Sequence, residues 1–252
     1  MVISRLMKKM SNKKQQNDYG SSSTTSIKSL PKEMLVEVMA RVASQSFSDL
    51  HNMKLCCKNF YTASEDKYVL QHTSLDKFPL VQWYPNDKEL SFLECCKKSG
   101  NIESLYREGL RELFIYSNGK ISGLERLKIA AQKGHREATY VYGMISLSSK
   151  DDKLRKQGIE HMRFLSKSKC ITKCRAKVRL ILKGSMWRKQ GILVRNQTLV
   201  CPSKTTCNGW RLKKGKWLFL DDEDEEIDSC ELCRLDHELK FFYDIFKEID
   251  SI

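Results

Sequence analysis

The sequence contains few residues that interrupt helices, with only 4 prolines and 12 glycines among 252 residues. Because these two residue types are the least compatible with a helix interior, long helices are permitted over much of the chain. No stretch approaches the roughly 18 apolar residues of a membrane span, and the N-terminus lacks the apolar region of a signal peptide. We therefore expect a protein of the cytoplasm or the nucleus, without a membrane partner.

The sequence motifs of common catalytic sites are also missing. We find no glycine-rich phosphate loop, no nucleophile elbow, no HExxH motif and no paired-histidine metal motif. The 5 histidines are scattered along the chain. We therefore expect a non-catalytic binding protein rather than an enzyme.

Charge is distributed unevenly along a chain whose formal net charge is +14. Residues 150–216 contain 20 Lys and Arg but only three acidic residues, and residues 221–226 are all acidic. A basic field of this size attracts anionic partners such as nucleic acid or an acidic protein. A solvated lysine-rich face is the alternative. Residues 1–28 are polar and should form a disordered, basic and Ser-rich tail, because they bury too little apolar surface to offset the entropy of ordering.

Hydrophobic periodicity predicts three short helices within residues 29–75. Pro31 suits a first helical turn, where its missing N–H group is not needed. Residues 44–48 interrupt the pattern, and a second helix should begin near Asp49, a residue type common at helix N-termini. A third helix should open near Ser64. The apolar positions at helical spacing are Leu35, Val38, Met39 and Val42 in the first helix and Leu50, Met53, Cys57 and Phe60 in the second.

These helices resemble the F-box. Its pattern is a Leu-Pro dipeptide, an amphipathic helix, a second helix ending in Ser/Cys-Lys-x-Trp/Phe, and a third short helix. The dipeptide is at residues 30–31 here, and the Cys-Lys-Asn-Phe element is at 57–60. The resemblance implies that this region binds an adaptor, which connects the protein to a cullin and to ubiquitin-transfer machinery. The adaptor-binding residues that it implies are Leu30, Pro31, Leu35, Val38, Met39, Leu50, Lys58 and Phe60. The alternative is an ordinary three-helix bundle whose apolar residues are all internal.

Two segments in the middle of the chain repeat with a period of 34 residues. The matched pairs are Cys96 with Ala130, Gly100 with Gly134, Ser104 with Ala138, Tyr106 with Tyr140, and Gly109 with Gly143. Gly100 and Gly134 should close helices in the left-handed conformation, and the small residues at the other positions should let helices approach closely. The pattern resembles Sel1-like and tetratricopeptide repeats, which implies helix-turn-helix units over residues 86–185. A third copy within 158–182 is too degraded to assign. Such repeats either bind a target or act as a spacer.

Two cysteine pairs lie near the C-terminus, Cys201 with Cys207 and Cys230 with Cys233. Four thiolates can complete a tetrahedral zinc site, and disulfides are not expected inside cells. We therefore predict structural zinc in a cysteine-rich unit over residues 198–252, with a strand at 216–220 and His237 as a substitute for one cysteine. Four reduced cysteines without metal are the alternative.

Together these patterns predict a mainly α protein, with an N-terminal three-helix F-box, helix-turn-helix repeats and a small cysteine-rich α+β unit. The function that they favour is substrate recognition in an SCF-type (cullin–RING) ubiquitin ligase, with an unknown target protein bound by the repeats or the C-terminal region. A basic nucleic-acid-binding protein with a zinc-knuckle-like C-terminus is the alternative, because aromatic and basic residues are interleaved there.

Overall fold

The structure is a computed structural model that describes residues 30–81, 84, 86–115, 120–185, 200–202 and 230–249. These residues form eleven α-helices and no strand. The helices are α1 (Lys32–Gln45), α2 (Phe47–Cys56), α3 (Lys58–Ser64), α4 (Lys67–His72), α5 (Asp87–Ser99), α6 (Ile102–Phe114), α7 (Lys120–Gln132), α8 (Arg136–Leu147), α9 (Asp152–Lys167), α10 (Ile171–Ser185) and α11 (Glu231–Ile249). The predicted mainly α fold is confirmed, while the predicted tail at 1–28 and strand at 216–220 lie outside the described residues. None of the described helices has both the length and the apolar character that crossing a membrane requires.

The boundaries of the N-terminal helices differ from those that periodicity predicts. Only Ser46 separates α1 from α2, and its hydroxyl oxygen accepts the Asp49 N–H group at 3.1 Å. One N-capping serine is sufficient to start the next helix, so the predicted break at residues 44–48 is too long. The predicted second helix is also divided, since Cys57 has an extended backbone between α2 and α3 (φ −163°, ψ 164°).

Helices α1 to α4 enclose a small core and pack against the helices that follow. The core consists of Leu35, Met39, Ala40, Ala43, Leu50, Ala63 and Val69. Beside it, the ring of Phe47 lies 4.8 Å from that of Phe78 and 5.1 Å from that of Phe92, which joins α2 to α5. The Asn101 side-chain amide donates to the carbonyl oxygens of Leu70 and Thr73 at 2.8 and 2.9 Å. These contacts fix the end of the bundle on the repeats.

Three helix-turn-helix hairpins follow (α5–α6, α7–α8 and α9–α10), and their turns share one backbone hydrogen-bond pattern. In each turn two successive N–H groups donate to carbonyl oxygens three and five residues earlier. In the first turn Gly100 donates to Lys97 and Asn101 to Cys96; the second turn has Gly134 to Ala131 and His135 to Ala130, and the third has Lys169 to Ser166 and Cys170 to Leu165. Gly100 and Gly134 have φ of +83° and +88°, which confirms that they close helices in the left-handed conformation. At the third turn Lys169 has φ +50°. The third repeat therefore exists, although its turn lacks the glycine that marks the other two.

Glycines also determine where adjacent hairpins cross. A Cβ atom on Gly123 of α7 would lie 2.9 Å from the carbonyl oxygen of Gly109 in α6. A Cβ atom on Gly158 of α9 would lie equally close, 2.9 Å, to the carbonyl oxygen of Gly143 in α8. The predicted close approach at Gly109 and Gly143 is thus confirmed. Gly123 and Gly158 are the partners that the sequence pattern did not identify.

His135 connects the first two hairpins. Its Nδ1 accepts the Ala138 N–H group at 3.1 Å and so caps α8, while Nε2 bonds to Glu103 of α6 at 2.7 Å. Its ring stacks on that of Tyr106 with centroids 4.5 Å apart. Burial opposes ionisation of Glu103, but its bonds and charge interactions with His135 and Arg107 prevail and lower its pKa to about 2.

The last helix, α11, packs against α8 and α10 and shares the core of the repeats. Its buried apolar residues in that core are Leu235, Leu239, Phe242, Tyr243 and Ile245. The ring of Phe242 meets the edge of the Tyr140 ring, with centroids 6.0 Å apart. Since Tyr140 is one of the two repeated tyrosines, α11 lies directly on the helix that the repeat pattern identifies.

Candidate functional site

The apolar residues of α1 and of the residue pair before it form an exposed row as well as a buried one. Leu30, Met34 and Val38 follow one another at intervals of four and expose 38%, 54% and 42% of their surface. Met34 and Val38 lie one turn apart on one face of α1, and Leu30 precedes the helix by two residues; we name these three the α1 stripe. Isolated exposed apolar side chains are ordinary on protein surfaces. Met34 and Val38 on one helix face, with Leu30 just before the helix, form an exposed apolar surface that a partner could cover.

Three of the eight predicted adaptor-binding residues lie behind the α1 stripe. Leu35, Met39 and Leu50 expose only 6%, 0% and 3% of their surface and pack together in the core of α1 to α4. In this position they hold α1 in place and do not face a partner. The remaining five are at the surface, with Leu30, Pro31, Val38 and Lys58 exposed and Phe60 half-buried.

Tyr68 of α4 lies beside α1 and is also exposed. It lines an open recess together with Lys32, Glu33, Val36, Glu37 and Asp66. The negative charge of Glu37 and a hydrogen bond with it raise the pKa of Tyr68. The surface next to α1 therefore offers an aromatic face and a polar group.

Three cysteines that are distant in the sequence meet at the start of α11. Cys230 directly precedes the helix, Cys233 lies in its first turn, and Cys201 belongs to the short segment 200–202. Their Sγ atoms all lie within 4.8 Å of one another. Thiolates bound at about 2.3 Å to a tetrahedral zinc ion stand roughly 3.8 Å apart, so the cluster could hold a thiophilic metal. The fourth predicted ligand, Cys207, lies outside the described residues.

The carboxylate of Asp236 holds the segment that carries Cys201. One oxygen accepts the Val200 N–H group at 2.8 Å, and the other accepts the Cys201 N–H group at 3.0 Å. Asp236 lies about one turn after Cys233 on α11, so the helix that carries Cys233 also orients Cys201. His237, the predicted substitute ligand, is exposed and does not belong to the thiol group.

A buried ionic network fixes the middle of α11 to the repeats. The Arg175 guanidinium donates two hydrogen bonds to the Glu238 carboxylate, at 2.9 and 2.6 Å. The Tyr140 hydroxyl donates to the same carboxylate at 2.6 Å, and burial, together with that charge, raises the pKa of Tyr140 well above its ordinary value. Buried charges are tolerated when they are paired and hydrogen-bonded, and both oxygens of Glu238 are engaged here.

Sequence reasoning identified the cysteines but missed several residues around them and on α1. Met34 had a signal, because it lies four residues from both Leu30 and Val38. Asp236 and Glu238 had no such sequence signal. The groups that bind Asp236 lie 35 and 36 residues away in the sequence, and those that bind Glu238 lie 63 and 98 residues away. Long-range polar contacts of this kind leave no local pattern.

The repeats match a known family. Residues 75–183 match the family described as plant tetratrico peptide repeats. This range contains α5 to α9 and nearly all of α10.

Two proteins of Arabidopsis thaliana are similar to longer parts of the chain. One, provisionally named as an F-box protein, is 31% identical over 219 residues, which cover 81% of this chain and 72% of the relative. The other, named as an F-box protein, is 30% identical over 124 residues, which cover 48% of this chain and 73% of the relative. No solved structure is significantly similar to the chain.

Proposed function

The chain belongs to the plant F-box proteins, with helical repeats after the F-box, and on this premise we propose that it is the substrate-recognition subunit of an SCF-type (cullin–RING) ubiquitin ligase. In this role residues 29–75 dock the adaptor, and the adaptor connects the chain to the cullin. Ubiquitin transfer is carried out by other subunits, so the chain itself needs no catalytic group. We place this work in the cytoplasm or the nucleus.

The observation that carries the proposal is the α1 stripe. Fully burying an apolar side chain contributes roughly 1.5–3 kcal/mol, so a partner that covers the half-exposed Leu30, Met34 and Val38 gains part of that energy at each. Pro31 and Lys58 are exposed and available at the edge of the same bundle. The buried residues Leu35, Met39 and Leu50 contribute indirectly, because they keep the stripe on a rigid helix.

The proposed target-binding region is the helical repeats or the C-terminal region. The repeats and α11 share one core, so in this role they act as one packed unit toward a target. The basic residues of α9 and α10 add positive charge to it, which favours an acidic target. The alternative of a nucleic-acid-binding protein is not favoured, since both relatives are named as F-box proteins.

Capture of the adaptor and a cullin by the purified chain tests this function. The wild-type chain should retain both proteins, and Leu30→Ala with Pro31→Ala should retain neither, because two contacts at the docking surface are lost. Leu180→Ala is the matched control, since Leu180 is an exposed apolar residue (76%) on α10, far along the chain from α1. Capture that survives the double change, or a wild-type chain that captures no adaptor, would exclude the proposed role. Capture should also persist in high salt, because apolar contacts are not screened as phosphate contacts are.

We propose in addition that Cys201, Cys207, Cys230 and Cys233 hold one structural zinc ion. The support is the convergence of three of these thiols and the orienting bond from Asp236. Zinc would supply a fixed cross-link between the segment around Cys201 and α11, with no part in catalysis. Metal analysis of protein purified without chelator should give about one zinc per chain, as one tetrahedral site requires. Folded protein with less than about a tenth of an equivalent would exclude the site, as would Cys230→Ser with Cys233→Ser retaining full zinc.

A further inference from the structure

Helix α10 has positive charges on its exposed side as well as on the side that faces α11. Its 15 residues include five Lys and Arg and no Asp or Glu. Two of the five cations contact α11. The Arg175 guanidinium binds the Glu238 carboxylate, and the guanidinium carbon of Arg179 lies 5.7 Å from the ring centroid of Phe241. The three lysines are exposed to solvent.

These lysines surround an exposed leucine. Lys173, Lys177, Leu180 and Lys183 follow one another at intervals of four, three and three residues, which places them on one face of the helix. Leu180 exposes 76% of its surface there, and Ala176, one turn before it, is exposed as well. We name these five residues the α10 outer face.

The positive charge of the α10 outer face is only partly neutralised within the chain. Lys177 lies 3.1 Å from a carboxylate oxygen of Glu137 in α8, yet 55% of its side chain stays exposed. Lys173 has no ion-pair partner among the described residues. Because α10 itself has no acidic residue, its outer face attracts a partner that carries carboxylates or other anions.

The apolar centre of the α10 outer face distinguishes between classes of anionic partner. Single-stranded nucleic acids stack their bases on aromatic side chains, and the α10 outer face has no aromatic residue. A membrane surface binds a helix through a wide apolar face, whereas the apolar face of α10, which includes Ile171, Val178 and Leu182, is buried in the core. A leucine surrounded by lysines fits a helix that places acidic residues around an apolar one.

We propose that the α10 outer face binds an acidic amphipathic helix of the target protein. The inference rests on the proposed function and deepens it, because it names the class of target that the ligase recognises. From Lys173 to Lys183 the face is about 15 Å long, at 1.5 Å per residue, which corresponds to about three turns of a partner helix. Carboxylates of the partner pair with the lysines, and its apolar side chain covers Leu180.

Binding of a designed peptide to the full chain, followed by fluorescence anisotropy at low salt, tests this inference. The probe is a labelled peptide of about 20 residues, long enough to form a helix, with a row of leucines flanked by glutamates. Leu180→Ala should weaken its binding by roughly 5- to 20-fold, since most of this leucine is available for burial. Lys173→Glu with Lys183→Glu should weaken it by about tenfold or more. Lys88→Glu with Lys98→Glu, exposed residues of α5, is the matched control and should have a much smaller effect.

Three comparisons decide whether the bound ligand is an acidic helix of a target. A peptide of the same composition in scrambled order should bind poorly, and equal binding of the two peptides would overturn the proposal. A chain that does not bind the peptide but binds duplex DNA or anionic lipid vesicles through Lys173 and Lys183 would overturn it as well. Peptide binding that appears only after the acidic residues 221–226 are replaced by Asn and Gln would make the chain's own acidic run the occupant, in place of a target.

Adaptor capture separates this inference from the proposed function. Leu180→Ala should keep adaptor capture while it weakens peptide binding. Adaptor capture without any peptide binding would reject the α10 site alone. Peptide binding without adaptor capture would reject the ligase role and leave the α10 outer face as a helix-binding surface.

Discussion

Replacing Glu238 alone with leucine should destabilise the chain more than replacing all three members of the buried network, Glu238, Arg175 and Tyr140, with apolar residues. Glu238→Leu leaves the Arg175 cation, 9% exposed, without its carboxylate and leaves the Tyr140 hydroxyl without its acceptor. Breaking a buried ion pair from one side costs about 3–5 kcal/mol. For a chain of this length, that loss lowers the melting temperature by roughly 6–20 °C.

Two further variants separate the destabilisation caused by the unpaired Arg175 cation from that caused by the unpaired Tyr140 hydroxyl. Glu238→Leu with Arg175→Met removes both charges and leaves only the Tyr140 hydroxyl, a residual cost of about 1–3 kcal/mol. Adding Tyr140→Phe removes that cost as well, so the triple variant should be the most stable of the three. Thermal denaturation followed by circular dichroism at the helical band ranks them. A double variant no more stable than Glu238→Leu alone would refute the reasoning, because unpaired Arg175 would not be the source of the loss.

Two further predictions concern the repeats. Lys169→Gly should stabilise the chain by about 1 kcal/mol, because Lys169 has a positive φ that glycine adopts without strain. Gly134→Ala should destabilise it by a similar amount for the same reason. Melting temperatures equal to that of the wild type in both variants would show that the turns carry no strain. Glu103 has a pKa lowered to about 2 in the folded chain, so it contributes stability that is present above its ordinary pKa of about 4.5 and is lost as the pH falls toward 2. Glu103→Gln should therefore cost roughly 3 kcal/mol near pH 6 and almost nothing near pH 2. Urea denaturation at the two pH values measures this cost, and an equal cost at both would contradict the prediction.

Local patterns predicted the helical character of the chain and the positions of its most regular turns. The spacing of Leu35 and Met39 predicted that α1 is an amphipathic helix, although both residues were assigned to adaptor binding and are buried. Gly100 and Gly134 located two helix ends. The third hairpin was not predicted, because Lys169 stands where the other two turns have glycine and adopts a left-handed backbone that most side chains avoid. The surrounding packing of α9 and α10 outweighs that local cost.

The candidate sites were predictable only in part, for a physical reason. The spacing of Cys230 and Cys233 is a local property and could be recognised, whereas the approach of Cys201 depends on Asp236 and on the docking of α11. Periodicity also cannot distinguish an inner apolar residue from an outer one when both occur on the same helix. Leu35 and Met34 are adjacent in the sequence and equally apolar, yet only the structure shows that one is buried and the other exposed.

The central claim, that the α1 stripe docks the adaptor, is tested most directly by titration calorimetry. The affinity for the adaptor is measured with the purified wild-type chain and with the double variant Met34→Ala, Val38→Ala. Both side chains are exposed in the isolated chain, so the double change should leave its folding intact. The account predicts binding by the wild type and a loss of roughly 10- to 100-fold in the variant, because each side chain is already about half covered in the free chain and can gain only about half of the full burial energy. Equal affinities, or a folded wild type that does not bind the adaptor, would contradict it.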